Sequence, residues 1–193
     1  AQVKLIFFVY VAMRWVLWYF AALAAAESDP PLVAAAREDN VAEVIRLLEG
    51  GADINEKGEG GQTSLMAATL AGSEGAVKHL LAQGADTTIG ESSGYTPMHG
   101  AAYQGRYKIA RLLIKHGLDP VAVHTDGVAA FHRACWGYDV RHAKTVAVFL
   151  KAGVDPDLPT REEDPRTCEQ MTMLDETKAA LKKYRKKRAK ADL

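Results

Sequence analysis

Bulky apolar residues recur in pairs at a fixed interval along this chain. Leu47-Leu48, Leu80-Leu81 and Leu113-Ile114 stand 33 residues apart, and Phe149-Leu150 follows three residues late. Each pair closes a stretch with helical spacing of apolar positions, as in Ile109, Ala110, Leu113 and Ile114. Upstream of each pair lies a run of small residues: Ala35-Ala36, Ala68, Ala101-Ala102 and Ala134-Cys135. Downstream lies a glycine, at 51, 84, 117 and 153, where a helix C-cap needs a left-handed residue. The pattern predicts units of two helices: a short first one, small enough for its neighbours to approach closely, and a second one carrying the bulky pair. Units of this size cannot bury their own apolar faces, so they must stack.

The clearest copy runs from Thr96-Pro97-Met98-His99-Gly100-Ala101-Ala102 through Gly105 to Gly117-Leu118-Asp119. One interval back lie Thr63-Ser64-Leu65-Met66, Gly72 and Gly84-Ala85-Asp86, and a further interval back Pro30-Pro31-Leu32-Val33 and Gly51-Ala52-Asp53. One interval forward lie Ala129-Ala130-Phe131-His132, with Gly153-Val154-Asp155 closing late. The period and the Thr-Pro-Met-His-Gly-Ala-Ala core resemble the ankyrin repeat. The resemblance implies an all-α ankyrin-repeat solenoid over residues 28–157, in four repeats of about 28–58, 59–91, 92–124 and 125–157. It further implies β-hairpin-like fingers over 53–62, 86–95 and 119–128, and a Thr and His that hydrogen-bond within and between repeats. Val33 and Met66 replace that His in the first two repeats. The three extra residues of the fourth repeat, around Tyr138–Thr145, are expected to bulge as a longer loop. Residues 158–193 are read as a linker, a capping helix over 172–190 and a basic tail.

Charge changes the picture at the ends. The chain holds 24 basic and 24 acidic residues, but eight of the basic ones and only Asp192 of the acids fall at or after Lys178. The tail is thus strongly basic and the body acidic. Lys182, Lys183, Arg185, Lys186, Lys187 and Arg188 are expected either to be a solvated helix end or to meet an anionic membrane surface. Nucleic acid is not expected, because only Tyr184 supplies the aromatic interleaving of single-strand binders. Residues 1–26 are almost wholly apolar apart from Lys4 and Arg14. Met13-Arg14, the apolar run Trp15–Leu23 and Ala24-Ala25-Ala26 read as a cleavable signal peptide with Met13 as initiator. The alternatives are a retained membrane anchor and a soluble apolar cap. The first two place the repeats in the secretory pathway or at a membrane; the third leaves them cytoplasmic. Lys190-Ala191-Asp192-Leu193 faintly resembles a luminal retention address.

Candidate chemistry is sparse. His99 and His132 fall in the signature slot and are expected to be structural. Cys135 replaces a core alanine and is expected to be a buried, inert thiol. His132, Cys135 and His142 match no closed zinc set, and no phosphate loop, dinucleotide fingerprint or zinc-protease helix occurs. No enzyme, cofactor, metal or small-molecule substrate is therefore expected. The informative ladder is Arg37, Leu70, Tyr103 and Trp136, each seven after the threonine slot. By resemblance this slot faces the concave groove, and Tyr, Trp and Arg are the residues that dominate interface hot spots. Gln62, Tyr95 and Val128, one before each threonine slot, and Gln104 would line the same face. The other reading of these side chains is partial burial against the neighbouring first helix. The expected function is a protein-interaction scaffold; the alternative is a membrane-associated assembly subunit.

Overall fold

The computed structural model describes residues 29–191, so expectations attached to residues 1–26 and to the last two positions lie outside the described residues. The described chain is a stack of helix pairs: α1 (Pro31–Arg37) with α2 (Val41–Glu49), α3 (Ser64–Ala71) with α4 (Glu74–Ala82), α5 (Pro97–Tyr103) with α6 (Tyr107–Lys115), α7 (Ala130–Cys135) with α8 (Val140–Lys151), and α9 (Cys168–Met171) with α10 (Asp175–Ala191). First helices pack on first helices and second helices on second helices, giving two curved layers with the core between them. Among the described residues there are no strands, and no helix is long and apolar enough to cross a membrane.

The layers follow from the residue types. The first helices are short and almost fully buried; all six residues of α7 are buried, as are Pro97 to Ala102 of α5. The second helices bury only one stripe, with Leu80, Leu113 and Phe149 at 0 % exposure. Truncating any of these three to alanine should cost about 2–5 kcal/mol. The end pair Leu47-Leu48 is only partly buried, because nothing described covers its outer side. Gly51, Gly84, Gly117 and Gly153 close the second helices at φ of 88°, 82°, 100° and 100°. A Cβ there would meet nothing within 4 Å, so the need is for the left-handed backbone and not for space. The aspartate two residues after each of these glycines then shapes the next turn: Asp53, Asp86, Asp119 and Asp155 each accept from the N–H two residues on, at 2.8–2.9 Å.

The fingers are turns closed by isolated bridges, Lys57 with Thr63, Val123 with Ala129 and Pro159 with Thr167. The last of these corrects the linker expected after residue 157. Residues 158–167 form another finger: the Arg161 N–H donates to the Gly127 carbonyl at 2.8 Å, as the Ser92 N–H does to Gly60. Thr167 and Gln170 then make a capping box that starts α9. The chain therefore carries a fifth, degenerate pair, and the capping helix begins at Asp175, not at 172.

Two further expectations are corrected. The three extra residues of the fourth pair do not bulge as a loop. Helix α8 starts in register with α4 and α6 and runs 12 residues against their 9, so the insertion adds most of a turn to the helix. Extending a helix keeps every backbone group paired, which an outward loop would not. Cys135 is not a free thiol: it is bonded to Cys168, tying α7 to α9. Both sulfurs belong to residues at 0 % exposure.

Candidate functional site

The ladder residues close their first helices, where backbone carbonyls lack intrahelical partners. Three of the four carbonyls are claimed by the next pair. The Ser73 hydroxyl donates to Arg37 O at 2.7 Å, Arg106 donates twice to Leu70 O at 3.1 and 2.8 Å, and His142 Nε2 meets Tyr103 O at 3.0 Å. The main chain is thus pinned while the side chains are left outside. Tyr103 is 61 % exposed and Trp136 37 %. Arg37 is exposed and paired with Asp29 at the end of the stack.

Between the first helices of the second and third pairs lies a pocket of about 340 Å³. Five expected residues meet there: Gln62, Leu70, Tyr95, Tyr103 and Gln104. Arg37, Trp136 and Val128 do not line it. Val128 corrects the expectation outright, being 1 % exposed. Its side chain is wholly apolar, and its N–H and carbonyl are taken by Asp126 and by the His124 N–H. The floor was not foreseen. Met66 stands where the third and fourth repeats carry His, and Gly100 lets Met66 and Leu70 close over α5, a Cβ there meeting both at 3.1 Å.

The wall toward the fourth pair is Arg133, also unforeseen. It occupies the slot that Gly100 and Ala67 hold one and two repeats earlier, a break in the ladder that the sequence does display. Only 8 % exposed, it pairs with Asp126, donates to the Tyr95 hydroxyl at 3.2 Å, and lies 4.9 Å from the Tyr95 ring and 4.8 Å from that of Trp136. His124 stacks on Tyr95 at 4.0 Å, and the His99 ring lies 5.9 Å from it. Burial opposes ionisation of Asp126, but hydrogen bonds from Arg133 and the Val128 N–H prevail and hold its carboxyl at about 2. The two aromatic residues are therefore fixed by a guanidinium between them, with cation–π contacts that each add about 0.5–2 kcal/mol. His99 lies behind this wall, its Nδ1 2.9 Å from Thr96 Oγ1, and burial first, then the neighbouring His124, push its pKa down to about 4. It is neutral and structural. His132 repeats the role one pair on, with Nε2 2.9 Å from Leu158 O.

The basic tail divides. Arg185 bridges Asp157 and Glu169, and Arg188 pairs with Asp155, so these two arginines fasten α10 to the body, where a solvated helix end or a membrane contact was expected. Lys182, Lys183, Lys186 and Lys187 are exposed. Among the described residues no cluster of three His, Cys, Asp or Glu gathers as a metal site would require.

The family model for Ankyrin repeats (3 copies) matches residues 16–90 and 74–160, most of the chain. The chain belongs to the ankyrin repeat family. Ankyrin repeats generally mediate protein–protein interaction, and the described stack is an all-α ankyrin solenoid. A comparison with curated proteins finds no match.

Proposed function

We propose that this ankyrin repeat protein is a non-enzymatic scaffold that binds a partner protein through its concave groove, centred on Tyr95, Tyr103 and Trp136. The observation that carries the reading is the pocket to which three consecutive repeats contribute, with an exposed tyrosine at its mouth and the adjoining aromatics held by Arg133. A preformed surface of this kind avoids the ordering cost of binding. Tyr103→Ala should leave the melting temperature unchanged, since the side chain packs on little, and should lower partner affinity tenfold or more in a titration with the partner recovered by proximity labelling in the native host. Unchanged affinity would remove the groove from the account.

A second reading has its own observation. Lys182, Lys183, Lys186, Lys187 and Lys190 are all exposed, and none makes an ion pair among the described residues. Leu181 packs inward at 0 % exposure, so α10 would meet an anionic membrane surface by charge alone, at about 1 kcal/mol per lysine. Co-sedimentation with phosphatidylserine vesicles, lost when the five lysines become glutamine, is the expected result. Equal sedimentation with neutral vesicles would end this reading. For localisation we propose the secretory pathway or a membrane, supported by the Cys135–Cys168 disulfide, since disulfides persist in oxidising compartments.

A further inference from the structure

One charge in the groove has no counterpart. Glu91 lines the pocket, and its carboxylate accepts only a long hydrogen bond from the Tyr95 N–H, at 3.4 Å. Among the described residues no cation pairs with it, and the other charge in the wall, Arg133, is already neutralised by Asp126. A second acceptor stands in the same wall: the Gln62 side-chain carbonyl oxygen is buried without a partner. Buried acceptors without donors are costly, and a carboxylate beside them favours a cationic donor. Met66 and Leu70 give the pocket an aliphatic side, Tyr95, the neutral His99 and Gln104 complete its lining, and the Tyr103 ring lies open beside them, engaged in no ring contact among the described residues. An aliphatic slot ending in acceptors, with an aromatic face alongside, matches a long side chain that is apolar along its stem and cationic at its tip.

Resting on the groove as the partner-binding face, we propose that this pocket takes a lysine or arginine side chain of an extended partner segment. Its stem lies on Met66 and Leu70, and its head group is held by Glu91 and Gln62. The Arg133 Nε–H, buried and without an acceptor, is placed to meet a main-chain carbonyl of the same segment. The surrounding charge agrees. The finger edge exposes Glu56, Glu59, Glu163 and Asp164 against Lys57 and Arg161, an acidic excess that would steer a basic segment toward the groove.

The test is a random-peptide phage library panned on the immobilised full-length protein, followed by titration of the selected peptides. Peptides whose binding depends on Tyr103 should share a Lys or Arg at one position. Glu91→Gln, which keeps the bond to the Tyr95 N–H, should weaken them about 10–100-fold. Replacing the peptide's basic residue by Gln should cost the same, and the two changes together little more than either. Glu91→Lys should select peptides with an acidic residue there instead. Arginine peptides outlasting their lysine counterparts would assign the head group to guanidinium, and the reverse to ammonium. Tyr103-dependent peptides with no basic residue in common, or unmoved by Glu91→Gln, would overturn the inference while leaving the groove intact. Selection of no Tyr103-dependent peptide would overturn the groove and the inference together.

Discussion

The disulfide makes the sharpest stability prediction. Cys135 ends α7 and Cys168 begins α9, 33 residues apart, so the bond closes a loop across the last junction of the stack. The chain-entropy relation gives about 4 kcal/mol for a loop of that length. The terminal pair touches only its neighbour, so in a repeat array that loss falls on the last junction and not on the whole. What remains to hold α9 and α10 includes the burial of Met171, Thr177 and Leu181, the half-exposed ion pairs of Arg185 with Asp157 and Glu169 and of Arg188 with Asp155, and the Thr167 capping box. Cys135→Ala with Cys168→Ala should therefore raise amide exchange in α9 and α10 by about a hundredfold to a thousandfold, on the same 4 kcal/mol. Exchange in α3 to α6 should hardly change. Hydrogen-exchange mass spectrometry of the wild type, with and without reductant, reads both effects in one experiment. Two thiols that alkylate in unreduced, denatured protein would refute the bond itself. Uniform acceleration across all helices would refute the local reading of its role.

Other outcomes follow from the same contacts. His99 titrates near 4 in the folded chain against an ordinary 6.5, so between those values only the unfolded chain holds the proton. Stability is then full above about pH 6.5 and falls by up to about 3 kcal/mol as pH drops to 4, with His132, also lowered by burial, adding in the same direction. Urea midpoints across that window should show the slope, and His99→Gln should flatten it. Gly137→Ala would place a Cβ 1.8 Å from the His142 ring; displacing that ring from Tyr103 O should cost about 1–3 kcal/mol in chemical denaturation, and a neutral result would contradict the packing. Asp139→Ala removes the acceptor of the Arg141 N–H at 2.8 Å and the cap of α8, for about 1–2 kcal/mol by the same assay.

The stack was legible because its causes are local and repeated. The pairs ending at Leu81 and Ile114 announce second helices, and Gly84 and Gly117 their ends, with no long-range information needed. That Gln62, Tyr95 and Tyr103 come together at one pocket was legible for the same reason. Arg133 was missed because it fills a slot that small residues hold elsewhere, and its meaning depends on Asp126, Tyr95 and Trp136 converging from two repeats. The disulfide was not read although its cysteines stand one 33-residue period apart, because the fifth pair is shifted against the template: its finger bridge spans Pro159 to Thr167, longer than Val123 to Ala129, and Cys168 opens α9 where Cys135 closes α7. Val128 shares a slot with Gln62 and Tyr95 yet is 1 % exposed, because a position in the repeat does not by itself fix how far its side chain is buried.

The central claim, that the concave face of the second to fourth repeats is the partner-binding surface, is best tested by site-specific photocrosslinking in the native host. A benzoylphenylalanine at Tyr103 should give a discrete adduct with one partner protein. The same probe at Lys78 or Arg111, exposed on α4 and α6 in the other helix layer, should give none. Adducts from the outer layer with silence at Tyr103 would contradict the account.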